Sequence, residues 1–229
     1  MTRMFPFVTE TWNPVAGGPC PYKCVYCWAT DLKERNDWEK YKGPWRLHEK
    51  QMKQKFKPGA FVFVQDMSDI GYPEIPEDVI LEVFHRIAQF PKTRFLLLTK
   101  NPAFYNEYIW DLPDNVICGA TIETDDDRIA AAVSLALQPS KRIQEITWAS
   151  CTRDDLDYFV AIEPILMFSN PVEFARKIRY LEPWAVAVGY DNHSHKLDEP
   201  VKVNTEALIV KLKAFTTVYE KTIREAWWE

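Results

Sequence analysis

The chain lacks a second pair of cysteines, a membrane-length apolar run, an export signal and an excess of positive charge, and each absence removes a class of protein. Its longest apolar runs, Phe61-Val62-Phe63-Val64 and Phe95-Leu96-Leu97-Leu98, are strand-sized, far short of the ~20 residues that cross a bilayer as a helix. The start, Met1-Thr2-Arg3-Met4-Phe5-Pro6, has no basic end followed by an apolar stretch and a small-residue cleavage site, so a cytoplasmic location is expected, with no membrane as a partner. Five cysteines, three of them clustered, do not make a disulfide framework. A net charge of -5 excludes a wholly basic nucleic-acid binder but leaves room for a local basic surface. No repeat, low-complexity segment or linker is visible, and 229 residues suit one domain spanning 1–229.

What is present is Cys20-Pro21-Tyr22-Lys23-Cys24-Val25-Tyr26-Cys27, three thiols within eight residues. Thiolates are soft ligands that suit zinc, cuprous copper and iron-sulfur clusters. A structural zinc normally closes a tetrahedron with four protein ligands in two pairs. Here Cys118 and Cys151 stand far apart and singly, and the closely spaced His193 and His195 lie near the other end of the chain. Three thiolates on a cubane cluster leave one iron open to a small molecule.

The rest of the chain alternates strand and helix signals. Residues 7–12, 60–65, 93–100, 115–123, 158–163 and 184–190 read as short apolar strands. Helical patterns follow at 28–41, 77–90, 101–110, 128–137 (capped by Thr124), 141–156, 171–181 and about 204–225. Parallel pairing with outer crossover helices follows, so the expected fold is α/β: an open, partial (β/α)6 TIM-like barrel. The cluster loop, 14–28, then sits at the end of the first strand. In such folds the C-terminal strand ends carry the chemistry. Polar residues gather there: Asp66-Met67-Ser68-Asp69, Thr99-Lys100-Asn101, Glu123, Glu163-Pro164 and Asp191-Asn192-His193.

Residues 40–57 form a basic segment, expected to be helical, in which Lys40, Lys42, Arg46, Lys50, Lys53, Lys55 and Lys57 alternate with Tyr41, Trp45 and Phe56. It reads either as a solvated face whose lysine stems cover apolar surface or as a nucleic-acid site.

The C-x3-C-x2-C spacing, with Tyr26 before the third cysteine, resembles the radical SAM superfamily. Thr11-Trp12-Asn13-Pro14-Val15, Asp66-Met67, Leu98-Thr99-Lys100, Asp127-Arg128-Ile129 and Glu163-Pro164-Ile165-Leu166 resemble a little-characterised phage and prokaryotic branch of it. The resemblance implies that Cys20, Cys24 and Cys27 hold a 4Fe-4S cluster whose open iron is chelated by S-adenosyl-L-methionine (SAM). It implies that Tyr26 lies against the adenine, mostly through its backbone. Carboxylates and hydroxyls suit the SAM ammonium and ribose, and lysine its carboxylate, which points to Asp66, Ser68, Lys100, Glu123 and Glu163 as cofactor-binding. Asp66-Met67-Ser68-Asp69 stands where the superfamily has a Gly-Gly-Glu-like stretch, and Gly189-Tyr190-Asp191-Asn192-His193 where the branch has Gly-Gly-Glu-Ser-Gly. The activity implied is reductive cleavage of SAM to methionine and a 5'-deoxyadenosyl radical that takes hydrogen from a substrate. A flavodoxin- or ferredoxin-like donor supplies the electron.

Cys151 and Tyr190 are the candidate hydrogen donors, whereas Cys118 reads as core. Asp191, Asn192 and His193 are candidate substrate contacts, and His193 and His195 read as acid-base groups or as surface residues of a turn. Two other functions remain open: an iron-sulfur electron carrier or redox sensor, and a nucleic-acid-binding module with a structural metal.

Overall fold

A computed structural model describes residues 4–229; of the start read above for a leader, residues 1–3 lie outside the described residues. The chain opens with β1 (Glu10–Trp12), β2 (Val15–Gly18), α1 (Trp28–Asn36), β3 (Gly43–Leu47), α2 (Glu49–Met52) and β4 (Phe61–Val64). It continues with α3 (Glu77–Ala88), β5 (Arg94–Thr99), α4 (Ala103–Glu107), β6 (Val116–Thr121), α5 (Asp127–Val133) and α6 (Pro139–Thr152). It closes with β7 (Asp157–Ile162), α7 (Pro171–Arg179), β8 (Ala185–Val188), α8 (Lys202–Lys213) and β9 (Thr217–Glu220). Seven strands pair in parallel in the order β1-β4-β5-β6-β7-β8-β9, a curled half-barrel flanked by helices.

The strands carry apolar side chains on both faces because both faces are covered. Outward-facing Val62, Val64, Phe95, Leu97, Val160, Ile162, Val186 and Val188 meet the apolar stripes of the helices. On α3 that stripe is Val79, Ile80, Val83, Phe84 and Ile87, each contributing about 1.5–3 kcal/mol by burial. Inward-facing Phe61, Phe63, Leu96, Ile117, Phe159, Ala185 and Ala187 form a second cluster with Phe5 and Val8.

Four expectations are corrected. The first strand begins at Glu10 rather than Phe7, because the preceding residues turn into the concave side of the sheet. There Phe7 packs on Phe61, Phe159, Trp184 and Tyr219. The last helix stops at Lys213, and the segment expected to continue it contains a seventh parallel strand, β9, paired with β8. Thr217-Val218-Tyr219 is β-branched and aromatic, and Tyr219 finds its place beside Phe7. The basic segment 40–57 is not one helix, because Gly43 sits at positive φ and Pro44 cannot continue a helix. Instead β3 pairs antiparallel with β2 inside the cysteine-loop region, Val15 opposite Leu47. That pairing depends on Gly17, at φ +116°, where a Cβ would lie 2.6 Å from the Pro44 carbonyl oxygen. The α5 cap is the side chain of Asp126, not Thr124, which accepts the Asp126 N–H.

The Gln65 side chain bridges the β2–β3 ribbon to the half-barrel. Gln65, just past β4 and at positive φ, accepts from Val15 N at 3.0 Å and donates to Val15 O at 2.9 Å. Asn13 reinforces the joint by donating to Asp66 at 2.6 Å and accepting from Met67 N at 3.1 Å. The ribbon leads into the cysteine loop, so Gln65 helps set where the thiols begin.

Replacing Gln65 with Ala removes the partners of two buried backbone groups, the Val15 N–H and the Val15 carbonyl. Unfolding in urea should show a loss of about 2–4 kcal/mol.

Candidate functional site

All seven parallel strands end on one face, and the cysteine loop lies over the ends of β1, β4, β5 and β6. A segment far along the chain holds the loop in place. Val25 N donates to Val133 O at 2.9 Å, Leu135 N donates to Tyr22 O at 2.7 Å, and the Cys24 Sγ lies 3.1 Å from the Ser134 Oγ. Cys20 accepts from the Tyr22 backbone N–H, and Cys27 precedes the first turn of α1.

The three thiols are partly buried and unbridged, and close enough for each other's charge to be felt. Burial pushes the Cys20 thiol up to about 11, with Asp69 and the neighbouring cysteines adding to it. Burial also raises Cys24, against the opposing charge of Lys100 and the contact with Ser134. A metal group binding here must displace those protons. Among the described residues no three His, Cys, Asp or Glu side chains converge tightly enough for a single ion. Cys118 is buried within β6 and Cys151 is exposed on α6, so neither adds a fourth thiol. The donor set of three thiols on one loop therefore fits a cluster ligated through three cysteines better than a closed tetrahedral ion.

Beside the loop lies Glu123, just past β6 and fully buried. Arg142, also fully buried, donates to its Oε2 at 2.5 Å from α6. Lys100, at the end of β5, and the Tyr26 hydroxyl both donate to its Oε1. Burial alone would raise this carboxyl, but Arg142 and Lys100 overcome it and hold it at about 2. Arg142 also donates to Thr121 O at 2.9 Å, yet its Nη2 stays buried without a partner, as does the Tyr22 hydroxyl. Lys100 lies over the Tyr26 ring, 5.3 Å from its centroid.

At the end of β4, the half-buried Asp66 is raised by burial, and Ser68 accepts from Gln65 Nε2 at 2.6 Å. Lys33 of α1 faces Cys20, Cys27 and Asp66, and burial lowers it against their charges. Asp69 is buried and accepts from Gly71 N, Lys100 N and the Thr99 hydroxyl, tying the ends of β4 and β5 together.

A second group forms at the ends of β7, β8 and β9. Glu163 accepts from Lys221 at 2.6 Å, and burial raises its carboxyl. Buried Asp191 accepts from His193 N, His195 N and, at 2.9 Å, the His195 ring, which leaves Asn192 and His193 exposed. Leu166 joins the two groups: its N–H donates to Glu123 O at 2.9 Å, and its side chain packs on Tyr26 and Leu197. An open cleft of about 660 Å³ lies between α1 (Asp31, Glu34, Arg35) and His193.

The fold thus brings Cys20, Cys24, Cys27, Tyr26, Lys100 and Glu123 together, with Asp66 and Ser68 beside them. Tyr190 is fully buried, its hydroxyl shared between Pro200 O and Thr205. Cys151 sits at the far end of α6, where the chain meets the start of β7 through Tyr158, away from the strand C-termini. In the 40–57 segment Tyr41 and Phe56 are buried and Trp45 packs on the core, so these aromatics turn inward while Lys50, Lys53, Lys55 and Lys57 stay exposed. The polar strand ends take in Asp69 but not Arg142, Lys33 or Ser134. A signal existed for Arg142 alone: it occupies the buried stripe Arg142, Ile146, Ala149, where a lone charge must meet a partner.

This is a parallel half-barrel α/β protein with a three-cysteine loop at its mouth. The chain belongs to the family described as "Protein of unknown function (DUF5131)", whose model matches residues 3–154. No curated protein matches it. Solved structures of spore photoproduct lyase share the fold. One cysteine-to-serine mutant has a TM-score of 0.64 and 11% identity over 96% of this chain and 80% of that one. A double mutant solved with AdoMet and dinucleoside spore photoproduct bound has a TM-score of 0.63 and 12% identity, covering 92% and 76%. At such identities the likeness is one of fold.

Glu123 has a folded pKa depressed from the ordinary 4.5 to about 2, so its contribution to stability is complete above 4.5 and is lost as pH falls toward 2. The acid limb of a stability-pH curve should be shallower over that window in Glu123→Gln than in the wild type. Arg142→Met leaves the buried carboxylate with Lys100 as its one cationic partner and should cost about 3–5 kcal/mol in thermal or urea unfolding.

Proposed function

We propose that this chain is a radical SAM enzyme in which Cys20, Cys24 and Cys27 ligate a 4Fe-4S cluster and the adjoining strand ends hold SAM. The observation that carries this reading is the loop of three unbridged thiols lying over the ends of a parallel half-barrel, beside a buried cluster of charges. It is supported by the shared fold with a lyase solved with AdoMet bound. When bound, cluster and SAM together supply one-electron cleavage of a carbon-sulfur bond, giving methionine and a 5'-deoxyadenosyl radical that takes hydrogen from a substrate.

The chain's own residues position and insulate. Lys100 and Arg142 bring two cations to the loop, and Glu123 offsets one charge while holding both side chains in place, so Glu123 acts as a positioning residue rather than a ligand. The unpaired Nη2 of Arg142 is a donor suited to a carboxylate. Asp66 and Ser68 offer oxygen acceptors to an ammonium group, and the Tyr26 backbone lies beside the third cysteine, where an adenine would be met. Leu166 and Leu197 cover Tyr26 and keep water from that side. A low-potential donor of the flavodoxin or ferredoxin type supplies the electron.

A nucleic acid is the first substrate class to try. The lyase of like fold was solved with a dinucleoside, and Lys50, Lys53, Lys55 and Lys57 leave an exposed basic face able to follow phosphates by charge, without stacking.

Anaerobic reconstitution with iron and sulfide, reduction with dithionite and addition of SAM should yield 5'-deoxyadenosine and methionine in the wild type and only background in Cys24→Ala. A reducible cluster that neither changes its spectrum with SAM nor forms product would replace the enzyme with an electron carrier or redox sensor.

A further inference from the structure

Among the described residues, Cys24 is the one cysteine of the loop with a side-chain hydrogen-bond partner. Its Sγ lies 3.1 Å from the Oγ of Ser134, a buried residue 110 positions later, between α5 and α6. Ser134 is fixed from both sides. Its Oγ accepts the Ala136 N–H at 3.1 Å, and flanking backbone bonds, Val25 N to Val133 O and Leu135 N to Tyr22 O, pin its segment against the loop. The hydroxyl has one proton to give and two acceptors in reach, Cys24 Sγ and, at 3.4 Å, the Tyr22 carbonyl.

While Cys24 is a thiol, either sulfur or oxygen can donate in this pair. Once Cys24 is a thiolate ligand its sulfur can only accept, and the Ser134 O–H has the shorter reach to it. We infer that Ser134 donates a hydrogen bond to the ligating Cys24 sulfur and thereby sets the cluster's reduction potential; this rests on the cluster reading above. The reason is electrostatic. When one electron passes from a low-potential donor to the cluster, negative charge grows on the ligand sulfurs, and a fixed donor stabilises that charge more in the reduced form than in the oxidised form. Ser134 is a positioning residue: it touches a ligand and neither SAM nor substrate.

The test compares the reconstituted full chain as wild type, Ser134→Ala, Ser134→Thr and Ser134→Val. Thr and Val have the same shape and differ in the hydroxyl. The readout is the cluster's midpoint potential, from a mediated titration followed by electron paramagnetic resonance, with iron and sulfide content measured alongside. At fixed ambient potential Ser134→Ala and Ser134→Val should lower the reduced-to-oxidised ratio about ten-fold, ~59 mV for one electron, and Ser134→Thr should restore it. Should Ala fail to assemble a cluster, the Thr–Val pair decides by itself. Equal potentials for Thr and Val at equal cluster content would overturn the role of Ser134. Failure of Val to assemble a cluster that Thr assembles would also overturn it in this form, making the hydroxyl a requirement for assembly instead. A wild type that takes up no cluster at all is a different failure, that of the enzyme reading itself.

Discussion

A carboxylate with no access to water, fixed between a guanidinium, an ammonium and a phenol, is the constraint on which this mouth depends. Glu123 by itself would be an expensive group to bury, and so would Arg142. Together with Lys100 and Tyr26 they form an arrangement in which each member has a single permitted position. Three separate parts of the architecture are thereby locked: the end of β5 through Lys100, the helix α6 through Arg142, and the cysteine loop through Tyr26. Buried pairs of this kind are weak sources of net stability. Their value here is geometric, because the loop that carries the thiols cannot shift without taking the Tyr26 hydroxyl away from a buried carboxylate.

The layout of the half-barrel was legible because its strands are apolar on both faces and separated by helix-length segments, and that pattern leaves few topologies. The cysteine loop stood out because three thiols within eight residues concentrate soft ligands in one place, and the structure lays that loop over the strand ends. What escaped were features decided by long-range packing. β9 lies in a segment that continues a helical pattern, and it becomes a strand only because β8 offers an edge and Phe7 an aromatic neighbour. The β2–β3 ribbon was hidden by lysines that suggested a helix, although Gly43-Pro44 marked the break. Phe7 reads as strand by alternation, yet the concave face claims it.

The site divided in the same way. Lys100 and Glu123 were readable as polar residues at the ends of apolar runs, Tyr26 through the cysteine-loop resemblance, and the three meet. Tyr190 follows the same local rule but turns into the α8 packing, where Thr205 and Pro200 occupy its hydroxyl. Arg142, within α6, and Ser134, at the end of α5, come from segments whose relation to the loop exists only in three dimensions. The sequence alone could flag Arg142 as a charge in an apolar stripe, but nothing local marks Ser134.

The bond between Cys24 and Ser134 also sets an order of events at birth. As the chain leaves the ribosome, its thiols emerge well before the segment that will cradle them, 110 residues later. At ~5–20 residues per second that interval is roughly 5–20 s, and at its end β7, β8 and β9 are still to be made. Until then Cys24 lacks Ser134, and the loop lacks the backbone bonds to Val133 and Leu135 that hold it. The surroundings of Cys24 are thus completed by a part of the chain made only after more than half of the polypeptide has been synthesised.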